Sequence, residues 1–320
     1  MSQQFLPKTN SSLKQDCIAI SLFCCLLFFS RHLAFEKITT HFLGGSTHDA
    51  GLYVWLMKHN WRDLWQLSWF DTRAFYPYGY SLAWSDNFIL PSLLALPFVS
   101  IGASEVLAYN LILFIAQLLN GFFSYKVSSK LGASTPSAIG AGAAIMLLGV
   151  LTWNLGHPQL QFIFFAPLAI LAFLKFLSSR NFASSILSGI CVFLCFLTTV
   201  YYSIFCSLAL LFFIALIYLL RPKALKTKDL LNLTSASLIA LLILIPFALP
   251  YFSVREAFGA KKLYESFYFA ANFLSYFSAS PENRLYANSL SISHAEAHLF
   301  AGFILIAITA SAFLRTFLIP

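Results

Sequence analysis

Residues 38–88 concentrate the groups able to do chemistry in a chain that is only 10% charged. They include Asp49, Asp63, Asp71 and Asp86 and five of the six tryptophans, Trp55, Trp61, Trp65, Trp69 and Trp84. Asp49 lies in the small-residue stretch Gly44-Gly45-Ser46-Thr47-His48-Asp49-Ala50-Gly51. A carboxylate there can take a proton from an attacking hydroxyl as a general base. It can equally open a helix over 50–59, since Asp, Ser and Thr favour helix starts. Both roles are compatible, and helix capping does not require the flanking glycines. Those predict that another segment packs close to this backbone.

A second cluster lies further on. Arg255, Glu256, Lys261, Lys262 and Arg284 stand among Tyr264, Phe267, Tyr268 and Tyr276. Arginine and lysine in this setting suit a phosphate, although an ordinary juxtamembrane loop has the same composition. His48-Asp49 and Glu296-x-His298 pair histidines with acids, but residues one or two apart do not share a helix face, so neither pair is by itself a metal site. There is no P-loop, no GxGxxG after a strand, no GxSxG and no HExxH. Trp61, Leu64, Trp65 and Trp69 recur at helical spacing and predict an amphipathic interfacial helix, either an anchor or the wall of a lipid-substrate groove.

The elements that must position these groups are membrane helices. The 320 residues are 59% hydrophobic and 17% aromatic, with mean hydropathy +0.77. Uncharged runs recur near the roughly 20 residues a helix needs to cross a bilayer. The net charge of +8 would favour nucleic acid in a soluble protein. Here the basic residues form short clusters beside apolar runs, so they are topology signals and no nucleic-acid partner is expected. All six cysteines lie inside apolar runs, without a CxxC pair, and are expected to be small buried side chains.

Eight spans are expected: 17–35, 106–125, 136–155, 160–174, two from the 39 uncharged residues 182–220 folded back at 198–203, 230–251 and 299–318. The first is expected to be a retained span rather than a signal peptide, because it is long and no A-x-A-like site follows. Residues 88–104, broken by Pro91 and Pro97, decide the topology. If this segment dips or lies in the interface, every short basic loop falls inside, at Lys126 and Lys130, at Lys175 and Arg180, at 221–228 and at Arg315. The long loops 36–105 and 252–298 then share the outer face with Trp153 and His157. The expected fold is all-α, one polytopic transmembrane domain over 1–320 with interfacial or re-entrant helices in the first outer loop.

The order of several short features resembles the GT-C membrane glycosyltransferases, especially bacterial multi-span members. They are Asp49 in the first outer loop, Pro77-x-Gly79-x-Ser81-Leu82 followed by Asp86, Gly156-His157 with Pro167, Tyr251 with Arg255, Tyr268, Ser275-Tyr276, and Glu296-x-x-Leu299-Phe300-x-Gly302. The resemblance implies inverting transfer of a sugar from a polyprenyl-phosphate donor to a glycan, lipid or protein acceptor, on the outward face of a bacterial inner membrane. It implies Asp49, Asp86 and Glu296 as candidate catalytic acids, with His48, His157, Arg255, Lys261, Lys262 and Trp84 toward the substrates. Better-known members often have a paired acid in the first loop where this chain has His48-Asp49-Ala50, so a divalent metal ion, if used, would rest on Asp49. The chain stops at Pro320, just after a span, as a short or truncated copy would. Two other functions fit the same residues. A transporter or flippase of lipid-linked sugars would use the same aromatic and basic face, although no mid-span charge or repeat supports it. A degenerate copy would have only a structural role.

Overall fold

The computed structural model describes residues 11–45, 47–221, 224–259, 262, 264, 267, 270–281, 283, 285–290 and 297–317. All regular structure among them is helical. The helices are α1 (Leu13–Phe35), α2 (Thr47–Arg62), α3 (Ile89–Ser100), α4 (Glu105–Lys130), α5 (Thr135–Met146), α6 (Gly149–Trp153), α7 (Phe165–Ser179), α8 (Phe182–Phe196), α9 (Val200–Leu220) and α10 (Thr227–Phe258). A single turn, Ala287–Leu290, and the helix Phe303–Phe317 follow. Six helical segments are long and apolar enough to cross a membrane: Leu13–Phe35, Glu105–Lys130, Thr135–Gly156, Pro158–Ser179, Val200–Leu220 and Thr227–Phe258. The chain is an integral membrane protein built as a helical bundle.

Polar side chains lock the two ends of the bundle. At one end, Lys126 Nζ near the end of α4 lies 2.7 Å from Asp16 Oδ2 at the start of α1. Arg180, just after α7, holds Asp229 of α10 at 2.9 Å and the Ala224 carbonyl at 2.7 Å. At the other end, the Asn110 amide of α4 spans the turn after α1, donating to the carbonyls of Ile38 and His41 and accepting from the Leu43 N–H. Between the ends, Gly142 of α5 meets the Gly121 backbone of α4 so closely that any side chain would collide. Small residues permit such approaches where lipid offers no hydrophobic drive to association.

The chain enters and leaves α3 at the same end of the bundle. Its first turn is tied to the end of α8 by Leu90 N–H donating to the Leu197 carbonyl. The α4 start that follows is tied to α2 by Lys58 and Glu105 at 2.8 Å. With 12 residues, α3 is about 18 Å long, short of the hydrocarbon thickness.

Three expected elements differ in the structure. The predicted helix through Trp61, Trp65 and Trp69 is not formed. Instead α2 ends at Arg62, and Leu67 adopts left-handed φ +54° while its N–H closes a turn onto the Asp63 carbonyl. Asp63 is buried against His59 and Arg62. The expected span 136–155 is present as Thr135–Gly156, but its helix is interrupted after Met146 and resumes at Gly149. In the expected span from 160 the α-helix begins only at Phe165, because residues 154–156 and 158–161 form 3₁₀ turns. Amides on α4 hold that irregular segment: Asn120 donates to the Gln161 carbonyl at 2.8 Å and Gln117 to its side-chain oxygen at 3.4 Å. Asn120 lies about 22 Å along α4 from its start, so non-helical backbone sits deep in the bundle, covered by protein as such segments must be. The fold-back expected at 198–203 is present as a break at 197–199 between α8 and α9. Among the cysteines, Cys191, Cys195 and Cys206 are buried, while Cys17, Cys24 and Cys25 are exposed on the surface of α1.

Candidate functional site

The first turn of α2 contains Asp49, inside the helix rather than at its cap as the sequence suggested. An acid there complements the exposed N–H groups of the helix start. Its side chain is half exposed, and His157 Nδ1 approaches its Oδ2 at 3.4 Å. Residues 108 positions apart thus meet because two backbones touch. At Gly44, with φ +96°, a Cβ would sit 2.6 Å from the Leu155 carbonyl carbon and closer still to the Gly156 amide nitrogen. This is the close packing the glycines predicted. His157 follows at once, its N–H bonded to the Asn154 carbonyl at 3.0 Å.

One turn along α2, Tyr53 is buried and donates its hydroxyl to Asp86 Oδ2 at 3.5 Å. Burial first, then the charges of Asp86 and Asp49, push its phenol well above the ordinary value, so it stays protonated and remains a donor. Tyr109 of α4 is fully buried within the electrostatic reach of Asp49, and its hydroxyl has no hydrogen-bond partner among the described residues. Asp86 is only 8% exposed. It is fixed by its neighbour Asn87, whose side chain donates to the Phe196 carbonyl at 2.8 Å and to the Tyr251 hydroxyl at 3.3 Å. The two loop acids therefore differ in access: Asp49 is open to solvent, whereas Asp86 is seated in a polar knot joining α2, α8 and α10.

Comparison with known proteins finds no family model, no curated protein and no solved structure that matches this chain.

The other candidates are placed as follows. Trp84 is half buried, its ring edge-on to Phe258 at 5.1 Å. Arg255 is exposed in the last turn of α10, and Lys262 is exposed beyond it. Lys261, Glu296 and the side chain of His48 lie outside the described residues. His298 hydrogen-bonds Ser278 at 2.9 Å and meets the Trp153 ring edge-on at 5.3 Å. Residues of both long loops and of the 154–157 turn thus gather at one end of the bundle. The structure brings together Asp49 and His157, with Asp86 one tyrosine away. It does not bring Arg255 into contact with them.

Among the described residues no three His, Cys, Asp or Glu side chains converge on one point. The described side chains alone do not make a metal site. Tyr53 and Tyr109 were not singled out from the sequence. Tyr109 falls in an apolar run where aromatics are ordinary, and only the fold shows which of them face a carboxylate. One weak signal existed for Tyr53: it lies four residues after Asp49, so the two share a helix face.

Proposed function

We propose that this protein is a membrane glycosyltransferase that uses a polyprenyl-phosphate-linked sugar on the extracytoplasmic face. The observation that carries it is the half-exposed carboxylate of Asp49 held against His157 at the loop end of an apolar helical bundle. The acceptor hydroxyl attacks the anomeric carbon, forming the new C–O bond as the bond to the phosphate oxygen breaks. Its proton passes to Asp49, and the electron pair leaves with polyprenyl phosphate. His157 fixes the carboxylate, and Arg255 stabilises the departing phosphate. Membership of the GT-C superfamily rests on the ordered sequence features; of the residues they name, Asp49 lies beside His157, and Asp86 is linked to the same helix through Tyr53.

In this arrangement α3 is re-entrant, and the basic ends at Lys126, Arg180 and Lys228 face the cytoplasm of a bacterial inner membrane. Cysteine labelling checks it. In a cysteine-free background, an impermeant reagent should modify Tyr76→Cys and Leu285→Cys from outside, both sites being exposed, and Thr227→Cys only after permeabilisation. Labelling of the first two from opposite sides would sink the topology. Arg255→Ala should weaken use of the lipid donor while leaving acceptor dependence unchanged, and an unaltered donor dependence would remove Arg255 from the site.

Function itself is tested by mass spectrometry of lipid-linked sugars and surface glycans with and without the gene. A transporter of lipid-linked sugars is the second candidate, favoured by one feature, the irregular 154–164 segment held deep by α4 amides. Transbilayer movement of the lipid without any new glycosidic bond would decide for it.

A further inference from the structure

A separate open groove of about 690 Å³ runs along α2 on the side away from Tyr53. Gly51, Trp55, Lys58 and Arg62 line it at helical spacing, with Thr72 from the following loop and Glu105 at the start of α4 as the facing wall. Trp55 is 43% exposed although it is the largest apolar side chain of the groove. It stands parallel to the His59 ring, with centroids 5.9 Å apart.

The charges here come already paired. Lys58 Nζ is 2.8 Å from Glu105 Oε1, and Arg62 Nε is 2.9 Å from Asp63 Oδ1. An anion entering would have to displace a carboxylate from each cation. A neutral polyol would not, since its hydroxyls can donate to the carboxylate and accept from the cation of one pair together. Its C–H face also suits the flat indole of Trp55. The volume falls within the ~300–1,000 Å³ range of small-molecule sites, enough for a short oligosaccharide.

We infer that this groove is a binding site for a neutral saccharide, the part of the acceptor glycan remote from its reacting hydroxyl. The role of acceptor rests on the transferase proposed above; the saccharide chemistry does not. The groove follows α2 for about 16 Å, from Arg62 to Gly51, at the ~1.5 Å rise of a helix. At Gly51 no atom lies within 4 Å of where a side chain would begin, so the wall is open at that end. Asp49 is two residues further on. The carboxylate lies on the Tyr53 side of the same turn, so a glycan leaving the groove at Gly51 passes round the start of α2 to present its hydroxyl to Asp49.

The test is saturation-transfer NMR on the purified full chain in nanodiscs, with maltotriose, cellotriose and mannotriose as neutral probes and inorganic phosphate as the anionic one. At least one trisaccharide should bind saturably. Trp55→Ala should weaken it roughly tenfold and Trp55→Phe less, since phenylalanine keeps a flat face. Trp55 is half exposed, and unaltered thermal melting will show that its variants fold. Absence of trisaccharide binding, insensitivity to Trp55→Ala, or displacement of the sugar by phosphate would each overturn the site. The two proposals fail separately. Trp55-dependent binding without any transfer product removes the transferase and keeps the groove; Asp49-dependent transfer with binding indifferent to Trp55→Ala removes the groove and keeps the transferase.

Discussion

Asp49→Asn is expected to lower sugar transfer by about 10²- to 10⁴-fold, the usual worth of a positioned general base. Asparagine matches aspartate in size and still offers an oxygen to His157, but it cannot take a proton from the acceptor. The structural cost should be small. Asp49 sits in the first turn of α2 with a half-exposed side chain. Loss of its charge removes a favourable interaction with the helix start worth ~0.3–1 kcal/mol. Turnover should therefore collapse while expression and thermal melting stay near wild type. The measurement is product formed by Asp49→Asn in membranes or nanodiscs against wild type at equal protein. Retained turnover would return Asp49 to a purely structural role. The choice would not then pass to Asp86, which is buried beneath Tyr53; Glu296 would be the remaining acid.

What the sequence revealed follows from which forces are local. Hydropathy reports burial in lipid residue by residue, so α1, α4, α9 and α10 were legible as spans, and the break between α8 and α9 followed from a run too long for one crossing. Elements held by tertiary contacts were not legible. Trp65 and Trp69 repeat at helical spacing, yet the helix stops at Arg62 because Asp63 is drawn inward to His59 and Arg62. Burial would disfavour that carboxylate's charge, but the Arg62 guanidinium holds its pKa below the usual range. No periodicity encodes such a pairing. Likewise 160–164 reads as apolar and helical, but Gln161 is claimed by Asn120 and Gln117 from α4. Within the site, Asp49 and His157 could each be named from the sequence, whereas their contact depends on a glycine 112 residues from its partner glycine.

That contact gives the second large effect. At Gly44 the backbone has φ +96°, a region costly for any residue with a Cβ, and the added methyl would press on the Leu155–Gly156 peptide. Conformational strain of about 1–2 kcal/mol and overpacking of about 1–3 kcal/mol act together, so Gly44→Ala should destabilise the protein by roughly 2–5 kcal/mol. Gly45 is the control. It also has positive φ, +69°, but no atom lies within 4 Å of its prospective Cβ, so Gly45→Ala should show the conformational cost alone. Peptide backbone cannot rotate aside as a flexible side chain can, so relief at Gly44 must come from separating the 44–45 turn from residues 155–157. Separation carries His157 away from Asp49. Gly44→Ala should therefore lose transfer activity well beyond its loss of folded protein, with Gly45→Ala losing little of either. The check is specific activity per folded molecule, with thermal melting of both variants measured beside wild type. Equal behaviour of the two would mean that the turn does not press on the 155–157 backbone, and that the pairing of Asp49 with His157 is not built on these glycines.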